Sequence, residues 1–341
     1  MQPEPGTRRG KRRWIFALIG VGVSVLFLWL ALRDTEFAEI GRVLSSANGR
    51  WALPFLLFLF LFYWLKSWRW TDLLSPSKPL RTAELFPAVM IGYAATAILP
   101  MQMGELVRTY IVSREHEIPY ARVLGSIAIE RVFDLLSVLA LLGLIFVMGQ
   151  GVPPVMRTAG YLVAAGCGVA LLATALLVTR TDGVIAVLQR LLCWLPAALL
   201  QKIGLQLREL ANGFSVLREP AILIRVGINS LVQWLLMGGC ILVSLWAFDI
   251  EVPLSAAAMV LAATIIGISL PTSPGYIGNI QLAFALALTP YGVSKEGALA
   301  ASLFYHALAY VTVVLVGFGF FQRYGFGFRE IRRVSTDTHG A

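Results

Sequence analysis

The chain has 341 residues, 58% of them hydrophobic and only 14% charged, with 28 Lys and Arg against 19 Asp and Glu. That composition excludes a soluble globular domain. It also turns the net charge of +9 away from nucleic acid, because an excess of Lys and Arg is the ordinary mark of cytoplasmic loops in a membrane protein.

A membrane-spanning helix takes about 20 apolar residues, since roughly 30 Å of hydrocarbon is crossed at about 1.5 Å per residue. In chain order the apolar runs predict spans at 14–32, 51–70, 84–99, 124–148, 159–179, 221–246, 254–270 and 298–321. The first run follows RRGKRR but is longer than a signal-peptide core, so it reads as a retained span behind a basic tail, 1–13. Two shorter apolar pieces, 104–113 and 275–289, follow Pro100 and Pro274. The stretch 183–218 is no span. Ile203, Leu207, Leu210, Phe214 and Leu217 recur at helical spacing opposite Lys202, Gln206, Arg208, Glu209 and Asn212, which predicts an amphipathic helix on the membrane surface. Residues 322–341 read as a second solvated tail. Cys167, Cys193 and Cys240 lie in apolar surroundings with no metal-ligand or disulfide spacing, and neither a metal nor a cofactor is expected.

Charge sets the topology. With the N-terminus inside and both short pieces folded back as re-entrant half-helices, the inner segments hold 21 Lys and Arg and the outer ones 5. Making 84–99 a full crossing would put Arg108, Arg114 and Arg122 outside and invert 180–220. The prediction is therefore an all-α, polytopic membrane protein of about eight spanning segments, with two broken helices in an inverted repeat and both termini cytoplasmic.

The breaks resemble each other. ILPMQMGELVR and SLPTSPGYIGNIQ each stop an apolar run at Leu-Pro, at Pro100 and Pro271, and restart near a glycine. Freed backbone groups at membrane depth must line an enclosed or wet cavity, and broken helices at matching places in two halves point to a transport site. Half-helices starting at Gly104 and Pro274, the latter capped by Ser273, would aim their N-termini at a common cavity and favour an anion there.

Ionisable residues cluster around the first break: Glu105, Arg108, Glu130, Arg131 and Asp134. Glu130 and Asp134, four apart, share a helix face with Ser126 and Ser137, and Arg131 is placed to pair with Asp134. Each charge exposed to lipid would cost about 2.5–3.5 kcal/mol, so Glu130, Arg131 and Asp134 are expected to face the interior and be paired, with Glu105 and Arg108 reaching the same cavity. Asn229 and Gln233 in one later span and His306 in another are weaker candidates.

Pro100-x3-Gly104-Glu105-x2-Arg108, then Glu130-Arg131-x2-Asp134, then Pro274-Gly275-x2-Gly278 together resemble the lysylphosphatidylglycerol synthase transmembrane, or flippase-like, family over residues 14–321. The resemblance implies an eight-span unit with broken segments that moves a modified phospholipid between leaflets. It also implies that Gly104, Glu105, Arg108, Glu130, Arg131, Asp134, Ser273, Pro274, Gly275, Gly278 and Gln281 form the transport site. Two departures matter. No segment is long enough for the soluble aminoacyl-transfer domain that other members carry, so that activity is not expected. Gln281 stands where many members have Glu, which leaves the second half-site without a carboxylate.

Three readings follow. In the first, a transporter carries a phospholipid or a lipid-linked anionic headgroup, with Arg108 or Arg131 on the phosphate. In the second, an accessory membrane subunit serves a separate lipid-modifying or glycosyltransferase enzyme. The third is an intramembrane polyprenyl-phosphate phosphatase, which would need a nucleophile and cations that the second motif does not supply. Membrane lipids are the expected partners, the plasma membrane the expected location, and an enzyme is not expected.

Overall fold

The computed structural model describes residues 26, 28–30, 32, 37–99, 103–147, 154–269 and 274–323. Residues 1–13, most of the expected first span (14–32), residues 324–341, and Pro100, Pro271 and Ser273 lie outside them.

The described residues hold no strand. Their helices are α1 (Phe37–Ser45), α2 (Ala52–Leu74), α3 (Thr82–Ile98), α4 (Gly104–His116), α5 (Tyr120–Val147) and α6 (Pro154–Thr179). They continue with α7 (Thr181–Leu191), α8 (Ala197–Gly213), α9 (Pro220–Trp246), α10 (Leu254–Ser269), α11 (Asn279–Leu288) and α12 (Lys295–Arg323). Three of these stretches, built on α2, α9 and α12, are long and apolar enough to cross a bilayer unbroken. The protein is an all-α polytopic membrane protein.

The two breaks make two hairpins. α3 has 17 residues and α4 has 13, about 25 Å and 20 Å of helix, each short of a bilayer's core. They lie antiparallel and very close, because Gly92 and Gly104 face each other without side chains. A Cβ on Gly104 would collide with the Gly92 carbonyl and with Thr96. In the second half, α10 turns back into α11, and the Asn279 side-chain amide donates to the Gly267 carbonyl at 2.8 Å.

Several helix pairs link the two halves of the chain. Helices in corresponding positions, α2 and α9, pack along each other in opposite directions. Trp51 meets Trp246 at one end, the Cys240 thiol lies 3.8 Å from the Phe55 carbonyl, and Asp72 pairs with Arg225 at the other end. Two further contacts cross between halves: α3 packs on α12, and α10 on α5. A large apolar core runs through α2, α9, α10, α11 and α12, and a second one through α2 to α5.

The surface stretch forms two helices, α7 and α8. α8 ends at Gly213, so Phe214 caps it and Leu217 falls in the 3-10 turn Ser215–Arg218, yet Phe214 is buried as its spacing predicted. α8 is held to the start of α5 by an ion pair between Glu209 and Arg122 at 2.6 Å. The segment 33–50, expected as an outer loop, contains α1, whose Ile40 packs against Leu299 of α12.

Candidate functional site

Side chains from α2, α4 and α5 meet in a buried ionic cluster. Glu130 and Asp134 project from one face of α5, and Asp134 sits at the middle of that 28-residue helix. Their main partners come from α2. Lys66 Nζ lies 3.0 Å from Glu130 and 3.4 Å from Asp134. Arg69 grips the same two carboxylates at 3.0 Å and 2.8 Å, and also donates to Ser230 of α9 at 2.8 Å. The three-residue spacing of Lys66 and Arg69 matches the four-residue spacing of the carboxylates, as two helices in contact allow. Arg108 of α4 completes the set, with Nη1 3.1 Å from Glu130 and its guanidinium 4.9 Å above the Trp70 ring. All five side chains are buried.

Two expectations are corrected here. The inner-side count of 21 includes Lys66 and Arg69, at the end of the expected span 51–70, but the helix continues to Leu74 and buries both. With Arg108 buried as well, 18 cations are left in the expected inner count against 5 outside, so the expected charge asymmetry keeps its sign. Arg131 pairs with Asp134 as its spacing predicted, but from the exposed edge of the cluster and not as its main partner. Its side chain is 44% exposed, it forms an ion pair with Glu105, and it stands 3.9 Å from Asp134. The face that holds Glu130 and Asp134 points inward, and Arg131, one residue on from Glu130, sits at its edge.

The cluster forms one wall of a cavity of about 410 Å³ bounded by both breaks. Gly104, Glu105 and Arg108 reach it from the first, Gly275 and Tyr276 from the second, with Lys66, Arg131 and Asp134 between them. Much of the rest of the lining is apolar or aromatic, including Phe62, Trp234, Ile265 and Val313.

The second break is built differently. Pro274–Tyr276 is a 3-10 turn, and α11 begins only at Asn279, not at Pro274. Gly275 and Gly278 take positive φ values of 75° and 89°, where glycine has no Cβ to clash, and Tyr276 follows at 57°. Gln281 does not line the cavity. Its side-chain oxygen accepts from the Gly278 N–H at 2.8 Å, capping α11. Its amide nitrogen must then donate to His306 Nδ1, 3.1 Å away. His306 makes a further hydrogen bond to the Gly275 backbone and lines the cavity itself. The expected anion site at a second half-helix N-terminus is therefore occupied by Gln281. Asn229 and Gln233 are buried and hydrogen-bonded to each other, outside the cavity lining.

Residues 17–317 match the family described as the lysylphosphatidylglycerol synthase TM region. The chain belongs to this family. As in the motif order, both breaks and the charged face of α5 fall inside the matched region. Glycosyltransferase AglD of Haloferax volcanii is 27% identical over 346 residues, a match that covers 90% of this chain and 54% of that protein. The chain thus spans about half the length of that relative. No solved structure matches. Membership in the lysylphosphatidylglycerol synthase TM region family ties the chain to membrane lipid.

Proposed function

We propose that this protein moves a phospholipid, or the anionic headgroup of a lipid-linked molecule, between the leaflets of the plasma membrane, without catalysing a reaction of its own. The observation that carries the reading is a single cavity touched by both helix breaks, with cations on one wall and apolar side chains on much of the rest. A headgroup crossing the membrane needs polar partners at mid-depth, while its acyl chains need none. Broken helices in two oppositely directed halves supply alternative openings to such a site. In this reading both termini are cytoplasmic.

Purified full-length protein in liposomes, with a fluorescent phospholipid and a membrane-impermeant quencher outside, tests it. Protein-dependent loss of the inner-leaflet signal is expected. A rate equal to that of empty liposomes sinks the proposal.

A second reading has its own support. A relative named as a glycosyltransferase is almost twice as long as the region it shares with this chain. The chain would then serve a separate glycosyltransferase or lipid-modifying enzyme as its membrane subunit. Liposomes that show translocation with this protein alone would decide against a purely accessory role.

A further inference from the structure

We infer that the cavity selects a headgroup with one net negative charge, a phosphodiester monoanion, over zwitterionic and lysylated headgroups. The inference deepens the translocation reading, and binding alone can test it.

Charge balance comes first. Lys66, Arg69, Arg108 and Arg131 face Glu105, Glu130 and Asp134, so the cluster has one positive charge in excess. Every carboxylate is already engaged: Glu130 by Lys66, Arg69 and Arg108, Asp134 by Lys66 and Arg69, Glu105 by Arg131. An incoming ammonium group finds no free carboxylate and meets a repulsive wall. An uncompensated charge in a low-dielectric site is unfavourable, and one phosphodiester neutralises it. A zwitterionic headgroup brings its own cation and leaves the excess unchanged.

An open donor marks where the anion would sit. Arg108 is 2% exposed and lines the cavity, and its Nη1 is spent on Glu130. Its Nη2 has no hydrogen-bond partner. A buried guanidinium nitrogen left open is costly, and a phosphate oxygen is the partner its geometry suits. The other titratable side chains at the cavity do not supply a competing charge. Tyr63, Tyr93, Tyr276, Tyr305 and Tyr310 add no carboxylate or ammonium, and the His306 Nδ1 accepts from Gln281. The volume, about 410 Å³, is of the size that encloses a drug-like molecule, which suits a headgroup with its acyl chains outside.

The test uses full-length protein in phosphatidylcholine liposomes with one acyl-chain-labelled lipid at a time: phosphatidylglycerol, phosphatidylethanolamine, lysylphosphatidylglycerol or phosphatidic acid. Thermal unfolding in detergent with each unlabelled lipid reads binding separately. Phosphatidylglycerol should cross at least tenfold faster than phosphatidylethanolamine or lysylphosphatidylglycerol, and should raise Tm where those two do not. Arg108→Gln should abolish that preference. In case that variant does not fold, Glu105→Gln adds a second excess positive charge at the half-exposed edge of the cluster, and should shift preference towards phosphatidic acid, which can carry two negative charges. Equal handling of phosphatidylglycerol and lysylphosphatidylglycerol in both assays overturns the inference while leaving transport intact. A selective Tm rise without translocation upholds the inference and defeats the transport reading. Liposomes loaded with soluble glycerophosphoglycerol distinguish the source: its retention is expected, and protein-dependent leakage without lipid movement would overturn a lipid headgroup as the ligand.

Discussion

The two helix breaks occupy matching places in the two halves and do the same geometric work by different chemistry. At the first, α4 is anchored by ions: Arg108 reaches Glu130, and Glu105 reaches Arg131. At the second, the backbone is braced by neutral groups, from Gly278 through Gln281 to His306 and back to Gly275. Matching positions in the chain's two halves set where the helices break, not what holds them. Charge on one side alone means that a headgroup in the cavity would meet its strong partners on the wall formed by the first half, and an aromatic, hydrogen-bonding surface opposite.

The largest effect should come from breaking the ionic side. Glu130→Gln keeps the shape of the side chain but leaves Lys66, Arg69 and Arg108 with Asp134 as their one remaining carboxylate in the cluster's interior. Removing one partner from a buried ion network typically costs about 3–5 kcal/mol. Thermal unfolding in detergent, followed by tryptophan fluorescence, should show the protein severely destabilised or absent from the folded fraction. Wild-type Tm for this variant would mean that the cluster is wet and screened.

The neutral brace should respond more mildly. Gln281→Leu removes the acceptor for the buried Gly278 N–H and the donor for His306, without stranding a charge. An unsatisfied buried polar group costs about 1–3 kcal/mol. The same unfolding measurement should place this variant between wild type and Glu130→Gln. If it falls below Glu130→Gln, the contrast drawn between the two breaks is wrong.

Much of this contrast is legible in the sequence, and the part that is not has a physical cause. Apolar runs predict α2, α3, α5, α9, α10 and α12 closely, because hydrocarbon demands a length and a composition that little else produces. Leu-Pro followed by Gly marks both breaks. Lys66 and Arg69 are hidden because the expected span stops at residue 70, which makes them look like end-of-span charges counted with the inner side. A corrective signal is present: between Pro54 and Pro76 the chain contains neither Pro nor Gly, so nothing ends the helix before Ser75. Continuing it places both cations inside. The role of Gln281 is beyond sequence reasoning, since a cap and a cavity residue have the same composition and differ only in where the side chain turns.

The smallest effect is expected at Arg131, where sequence and structure disagree most directly. By spacing alone, Arg131 is the partner of Asp134, and Arg131→Ala should leave two buried carboxylates uncompensated. In the structure those carboxylates keep Lys66, Arg69 and Arg108, and Arg131→Ala removes an ion pair with Glu105 and a longer one, 3.9 Å, with Asp134, in both of which the arginine is 44% exposed. Pairs at that exposure contribute about 0–1 kcal/mol, because water screens the attraction and the long side chain loses entropy in making it. Tm should therefore stay close to wild type. Translocation is a separate matter, since Arg131 lines the cavity and its loss removes the one positive charge in excess. Phosphatidylglycerol movement should fall several-fold in a well-folded protein. The double variant Arg131→Ala with Glu105→Gln restores the charge balance and should recover much of that rate. Should Arg131→Ala unfold the protein as Glu130→Gln is expected to, Arg131 belongs to the structural network after all, and the division between a buried core of charge and a half-exposed edge fails.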